Sequence, residues 1–474
     1  MPITKFRVPE KYKYLDGFGS YHQYITSLYT SSQLTKTRSE AISGALPIGI
    51  NSPQLPPFAL STERISGTSF TAPRSQNLQT WLYRVHPSLS HSDFTPLASS
   101  SQSSTRLPDG EELPLTPNAL RWNDFPITAG QDWVSSQKLI AKSGDPAKKE
   151  GLAYLYYAAS ESMQTNTVFS SSDGDYLIIP QSGTLDIHTE LGSLLVRHNE
   201  ICVIPRGVRY RVDLASGPAR GYICELYQGH FLLPELGPIG SCSLANVRDF
   251  QIPTACFSGS VSNGIARCEK ATWKLVAKYA GKLWERSQAH TPFDIAAWHG
   301  TYYPYKYDLG RFSVIGSISF DHPDPSIFTV LTAPSYREPG TAVVDFAIFP
   351  PRWFVMEGTY RPPYFHRNSM SEFAGVIINS QDGERVWNQR EGSTPFGATL
   401  NGAMVLHGMD RRTHEAARKQ ELRPEKVGGE GFMVFLLESE RMMGVSDWAL
   451  EAAAKDGSKG SISGGLKEKE KSKL

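Results

Sequence analysis

Between residues 170 and 215 the apolar positions fall in short runs broken by turn formers. The runs are Tyr176-Leu177-Ile178-Ile179-Pro180, Thr184-Leu185-Asp186-Ile187, Leu194-Leu195-Val196, Cys202-Val203-Ile204 and Val208-Arg209-Tyr210-Arg211-Val212. Runs this short, separated by Gly or Asn-Glu, predict buried strands of a meander or barrel. A similar texture returns between residues 345 and 440 and ends in GEGFMVFLLESE, Gly429 to Glu440, read as a buried strand. A helix is expected only in patches such as Thr413 to Glu421, THEAARKQE, a charged surface excursion. No unit repeats with a fixed period of about 20 to 50 residues, which excludes a solenoid. The pattern predicts a mainly β chain with two diverged barrels.

Composition narrows the class. The 474 residues are 40% apolar, 20% charged and 11% aromatic, so the chain as a whole is globular rather than disordered. The 40 Gly and 32 Pro, with 22 Phe and 21 Tyr, suit many short strands and tight turns. Lys plus Arg number 48 against 47 Asp plus Glu, which leaves no field to hold nucleic acid or an anionic membrane surface. The N-terminal MPITKFRVPEKYKY lacks an apolar core, and no eighteen apolar residues run together, so neither a secretory leader nor a membrane helix is expected. Five cysteines, Cys202, Cys224, Cys242, Cys256 and Cys268, form no C-x-x-C pair and imply a reducing compartment.

Two segments read as flexible. Residues 98–117, ASSSQSSTRLPDGEELPLTP, are rich in Ser and Pro and predict a surface insert. Residues 456–474 have little to bury and predict a disordered tail ending in Ser472-Lys473-Leu474. A free S-K-L terminus is a peroxisomal address, so the expected location is peroxisomal, and otherwise cytoplasmic.

The stretch Asn199-Glu200-Ile201-Cys202-Val203-Ile204-Pro205-Arg206-Gly207-Val208-Arg209-Tyr210 resembles the second signature of the cupin superfamily, whose last residue is a metal-ligand His. Here it is Tyr210, which implies a jelly-roll barrel without metal. His188, Glu190, His198 and Glu200 lie close in sequence and could hold an ion, but they flank a Glu-Leu-Gly turn and read as surface hairpin polarity.

Among twelve histidines, the segments RPPYFHRNSMSEFAGVII and Ala403-Met404-Val405-Leu406-His407-Gly408 place His366, Glu372 and His407 in apolar settings. Buried ionisable groups are paired or bound to metal. In one straight strand His366 and Glu372 would stand about 20 Å apart, and in one helix about 240° apart, so neither arrangement lets them share an ion. The chain must therefore turn at Arg367-Asn368-Ser369-Met370, with Glu372 starting the returning strand and His407 arriving from a neighbouring one. Two His and one carboxylate on one side of an ion suit a non-haem Fe(2+) oxygenase, a catalytic zinc, or merely core polarity. Spacing alone leaves all three open.

Longer stretches add a resemblance. ALPIGINSPQLPPFAL, Ser66-Gly67-Thr68-Ser69-Phe70-Thr71-Ala72-Pro73-Arg74, DGDYLIIPQSG, LPELGPIGS, AWHGTYYPYKYDL, FDHPDPSIFTVLTAPS, IFPPRW, RPPYFHRNSMSEF and HGMD resemble the homogentisate 1,2-dioxygenase family, in that family's order from residue 17 to 410. The resemblance implies a bicupin-like fold with an N-terminal β domain over 1–290, which holds the metal-free barrel and the 98–117 insert. A C-terminal cupin domain over 291–450 would carry the metal. It implies opening of a 2,5-dihydroxyphenyl acid by O2, as in tyrosine and phenylalanine breakdown, in a homo-oligomer, either a trimer or a hexamer of two trimers. The family's iron ligands fall on His366, Glu372 and His407, and its catalytic His on His299. Read bottom-up, His299 is a base that Trp298, Tyr302 and Tyr303 could orient. The expected substrate wall is Gln381, Asn401, His407 and Tyr303. It departs from the family at Gln381, where a Tyr is usual, at Asn401, where a His is usual, and at Met409 and Ser20-Tyr21. A changed wall implies a shifted ring substituent, so homogentisate and a close analogue both stand as substrates. The competing readings are a zinc hydrolase or isomerase on the same triad and a non-catalytic cupin-type protein.

Overall fold

In a computed structural model the described residues are 4–18, 39–97, 113–123, 125–322, 324–379, 397–409, 411–427 and 432–455. Gln381, Ser20, Tyr21, residues 98–112 of the insert and the 456–474 tail lie outside them.

The apolar runs of the first region become strands shared between two sheets, Asp175–Ser182 beside Glu200–Ile204 in one and Thr184–Thr189 between Gly192–Arg197 and Tyr210–Leu214 in the other, all antiparallel. Gly183, at φ +82, passes the chain from the first sheet to the second, and a Cβ there would lie 2.6 Å from the Pro218 carbonyl oxygen, so the turn requires glycine. Two sheets enclose the first core. One orders Tyr14–Asp16, Phe250–Pro253, Tyr305–Asp308, Glu200–Ile204, Asp175–Ser182, Ala219–Leu226, Glu150–Ala159, Lys138–Asp145 and Gly444–Val445. The other runs from Gly192–Arg197 through Thr184–Thr189, Tyr210–Leu214, Thr167–Ser171, Lys270–Tyr279 and Lys282–His290 to Thr95–Pro96. Leu177, Ile178, Leu185, Ile187, Leu194, Val196 and Val212 are almost wholly buried in that core. Its central strands are covered on both faces, which is why their sequences run continuously apolar instead of alternating.

A six-stranded sheet orders Thr329–Pro334, Ala342–Phe349, Phe432–Ser439, Ser371–Asn379, Ala398–Asn401 and Leu120–Trp122. Phe373 joins it to the nine-stranded sheet. Its ring, 0% exposed, stacks on Tyr154 at 4.9 Å and meets Tyr222 edge-on at 5.6 Å. Gln181 Nε2 also donates to the Val376 carbonyl at 2.7 Å. Burying a phenylalanine contributes about 2 to 3 kcal/mol, and here it fixes the strand that carries Glu372. Two strands tie the ends together: Leu120–Trp122 joins the six-stranded sheet, and Gly444–Val445 returns to the nine-stranded one.

A three-stranded sheet of Ser61–Ser66, Gln79–Arg84 and Ile295–Gly300 completes the N-terminal part. Arg84, fully buried, bonds Asp294 at 2.7 Å and also pairs with Glu190 and Glu63, so its own buried charge is compensated. The helix expected at Thr413–Glu421 is present as Arg411–Lys419, two residues earlier.

Candidate metal centre

His366, Glu372 and His407 converge. Their ligand atoms all lie within 4.8 Å of one another, and no other such group of His, Cys, Asp and Glu occurs among the described residues. His366 and His407 form a single antiparallel bridge, with His366 N donating to His407 O at 3.0 Å and the reverse bond at 3.1 Å. The chain turns through 367–370 as the spacing requires, and Ser371–Asn379 begins one residue before Glu372. The delivery of His407 departs from expectation. Met404 is 60% and Leu406 71% exposed, so this segment is no buried strand. The neighbouring strand ends at Asn401, and Met404, at φ +61, turns the chain so that only the one bridge at His407 remains.

Both imidazoles are fixed by their backbone. His366 Nδ1 donates to the Tyr364 carbonyl and His407 Nδ1 to the Val405 carbonyl, each at 2.8 Å. That assigns the proton of each neutral ring to Nδ1 and aims the Nε2 lone pair outward. His407 Nε2 lies 2.8 Å from Glu372 Oε2, and His366 Nε2 lies 3.5 Å from Glu372 Oε1. Buried His407 Nε2 nevertheless completes no well-aligned hydrogen bond. Lone pairs of nitrogen and carboxylate facing each other at such distances repel unless a cation sits between them. The cation is a proton or a metal ion, and two imidazoles with one carboxylate suit iron or zinc.

The titration of the site follows from the same contacts. Burial raises the Glu372 pKa, but His407, Asn368 and His366 outweigh it and hold the carboxyl below its ordinary value. Burial lowers His407, while Glu372 and the Val405 carbonyl raise it to a net value above the usual imidazole range.

The triad lines an open cavity of about 1230 Å³. Register explains its polar wall. Asp345 pairs with Glu438, Glu438 with Glu372, and Glu372 with Asn401, so four polar side chains form one row across the six-stranded sheet. All four line the cavity, with Phe328, Ala347, Phe349 and Leu436 as apolar neighbours and Arg121 and Arg367 as cations. Burial, then the charges of Glu372, Asp345 and Asp324, push the Glu438 carboxyl up to about 7. Sequence reading placed Asn401 here but missed Asp345 and Glu438. The available signal was a Glu closing an otherwise apolar strand, FMVFLLE.

His299 and Tyr303 are not brought to this cavity. His299 is 1% exposed in Ile295–Gly300, paired to Gln79–Arg84, and its Nε2 lies 3.0 Å from the Tyr83 hydroxyl. Tyr83 also stacks on the ring at 5.8 Å. The expected orienting aromatics are engaged elsewhere: Trp298 Nε1 donates to Leu191 O, Tyr302 Oη donates to Arg206 O, and Tyr303 packs on Trp298 in the core. Burial lowers the His299 pKa to about 4, so the ring is neutral at neutral pH.

The first barrel is wired differently. Tyr210 is buried and accepts a hydrogen bond from Trp133 Nε1 at 3.1 Å. The four residues near its hairpin belong to separate contacts. His188 sits 3.4 Å from both Asp186 and Asp213, Glu190 accepts from Arg209 N and Arg84, Glu200 holds Arg197 and Lys306, and His198 lies edge-on to Phe6.

Comparison with known proteins agrees across the chain. The family model described as Homogentisate 1,2-dioxygenase N-terminal matches residues 13–309, and Homogentisate 1,2-dioxygenase C-terminal matches 310–469. A protein of Emericella nidulans named homogentisate 1,2-dioxygenase is 52% identical over 96% of this chain and 95% of its own length. Proteins of the same name from Dictyostelium discoideum and Drosophila melanogaster are 46% and 45% identical, covering 92% and 94% of this chain and 93% and 95% of their own. Among solved structures, a cupin-2 domain protein from Shewanella frigidimarina covers 20% of this chain and 83% of its own, with 23% identity and a TM-score of 0.17. With both halves matched and half of all positions shared with a relative of equal extent, this mainly β chain belongs to the homogentisate 1,2-dioxygenase family.

Proposed function

We propose that this chain is an Fe(II)-dependent dioxygenase that opens the ring of a 2,5-dihydroxyphenyl acid, homogentisate or a close analogue, with O2. The observation that carries the reading is the set of two Nε2 lone pairs and one carboxylate converging on a shared point beside a cavity large enough for an aromatic acid. His366, Glu372 and His407 would hold the ion, leaving its opposite side to the cavity. When bound, Fe(II) supplies the electron transfer by which O2 and a closed-shell ring react.

The chain's own residues supply the rest. Phe328, Phe349 and Leu436 give the ring an apolar bed, while Arg121 and Arg367 offer partners for the substrate carboxylate. Glu438, in register beside Glu372 on the cavity wall, offers a carboxyl to a phenol hydroxyl of the substrate. Asn401, in register with Glu372, presents an amide on the cavity wall, and we assign it to the ring substituent. His299 does not line the cavity of its own chain.

Assembly into a homo-oligomer belongs to the same proposal. Ile318, Phe320, Trp353, Phe365 and Leu406 are 57% to 82% exposed, apolar side chains that a second copy would cover.

The test is an oxygen electrode with anaerobically metal-loaded protein and homogentisate, gentisate and ring-substituted analogues. Uptake of one O2 per ring opened with Fe(II), and none with Zn(II), is expected. No uptake with any hydroquinone acid would end the reading, and turnover without O2 on zinc would favour the hydrolase or isomerase.

A further inference from the structure

Asn368 occupies the turn between His366 and the strand that begins at Ser371. Its Nδ2 donates to Glu372 Oε1 at 2.7 Å and, more weakly, to Glu438 Oε1 at 3.4 Å. Both neighbours are acceptors, so the amide must present its NH2 side to them. The main-chain carbonyl oxygen of Asn368 accepts from Met404 N at 2.7 Å, which anchors the turn that delivers His407. One residue thus touches the carboxylate ligand and the loops of both imidazoles.

The two oxygens of Glu372 are thereby made unequal. Oε1 accepts from the amide at 2.7 Å and stands 3.5 Å from His366 Nε2, while Oε2 takes no amide and faces His407 Nε2 at 2.8 Å. We infer that Asn368 is a positioning residue that reserves one oxygen of Glu372 for the metal and keeps the other from closing onto it. This rests on the metal reading above and goes beyond it, because it assigns the control of the ion's open side to a residue that is not a ligand. A neutral donor suits the place. It satisfies Glu372 and Glu438 together without adding charge, whereas an acid would set a third carboxylate beside them.

The test uses the full chain, stripped of metal and titrated anaerobically with Co(II), whose visible bands weaken as coordination number rises. Asn368→Leu keeps the branched outline of the side chain at a half-buried position and removes the donor. Wild type should bind one Co(II), and Asn368→Leu should bind it about 10- to 100-fold more weakly, the range for lost outer hydrogen bonds to ligands, with a weaker visible band. Asn368→Asp, of identical shape but without the donor, should show the same spectral change even though its charge favours the cation. Two variants with wild-type spectra would overturn the role of Asn368 while leaving the metal site standing. A wild type that takes up no Co(II) would overturn the metal reading and this inference with it.

Discussion

Replacing Glu372 by Gln removes one charge and almost no volume from the centre of the triad, and its effect can be worked from the geometry. The carboxylate oxygens stand 2.8 Å and 3.5 Å from the two Nε2 atoms, so any ion they share lies well within 4 Å of the acid. At 4 Å and an effective dielectric of 20, one pair of unit charges interacts by about 4 kcal/mol, and a divalent ion gains more. Since about 1.4 kcal/mol is a factor of ten, Glu372→Gln should weaken Fe(II) or Co(II) binding by at least about a thousandfold. The fold should persist, because Gln matches Glu in shape and can still accept from Asn368. Anaerobic calorimetric titration of the metal-free protein reads the affinity, and far-UV circular dichroism confirms the fold. A folded Glu372→Gln protein within tenfold of wild-type affinity would refute the assignment of Glu372 as a ligand.

Other outcomes follow from the same contacts. His407 carries a raised pKa in the metal-free protein and must lose its Nε2 proton to bind metal, so affinity should fall as pH drops below that value and binding should release protons. Titrations in buffers of different ionisation enthalpy would show this, and buffer-independent heats at slightly acid pH would contradict it. Glu438 has a folded pKa near 7 against 4.5 unfolded, so it binds more protons when folded and metal-free stability should decline between pH 4.5 and 7. The size is up to about 3 kcal/mol, and denaturant melts of Glu438→Gln should lack that slope. Phe373→Ala should destabilise the chain by about 3 to 5 kcal/mol and also loosen metal binding, because the stack on Tyr154 fixes the strand holding Glu372. A fluorescent fusion retaining Ser472-Lys473-Leu474 at its end should collect in peroxisomes and disperse once those three residues are removed.

Much of the site was legible because it rests on local chain arithmetic. The six-position step from His366 to Glu372 permits a shared ion only if the chain reverses, and it does. The strands from Asp175 to Leu214 were legible because burial on both faces leaves unbroken apolar runs. The cavity wall was not. Asp345, Glu438, Glu372 and Asn401 become neighbours only through the register of four strands drawn from distant parts of the chain, which no local pattern encodes. Asn368 read as a turn former, and its bond to Glu372 depends on where the next strand starts. His299 shows the converse. Its aromatic surroundings suggested Trp298 and Tyr303 as partners, but a strand alternates its side chains, and Tyr83, opposite Ala297 on the neighbouring strand, reaches His299 diagonally instead.

The most direct measurement is anomalous diffraction above and below the iron absorption edge, on crystals grown anaerobically after Fe(II) loading. A single iron peak in contact with His366 Nε2, His407 Nε2 and the Glu372 carboxylate is the expected result. Iron bound elsewhere, or a loaded protein whose three side chains bond one another with no metal between them, would contradict it.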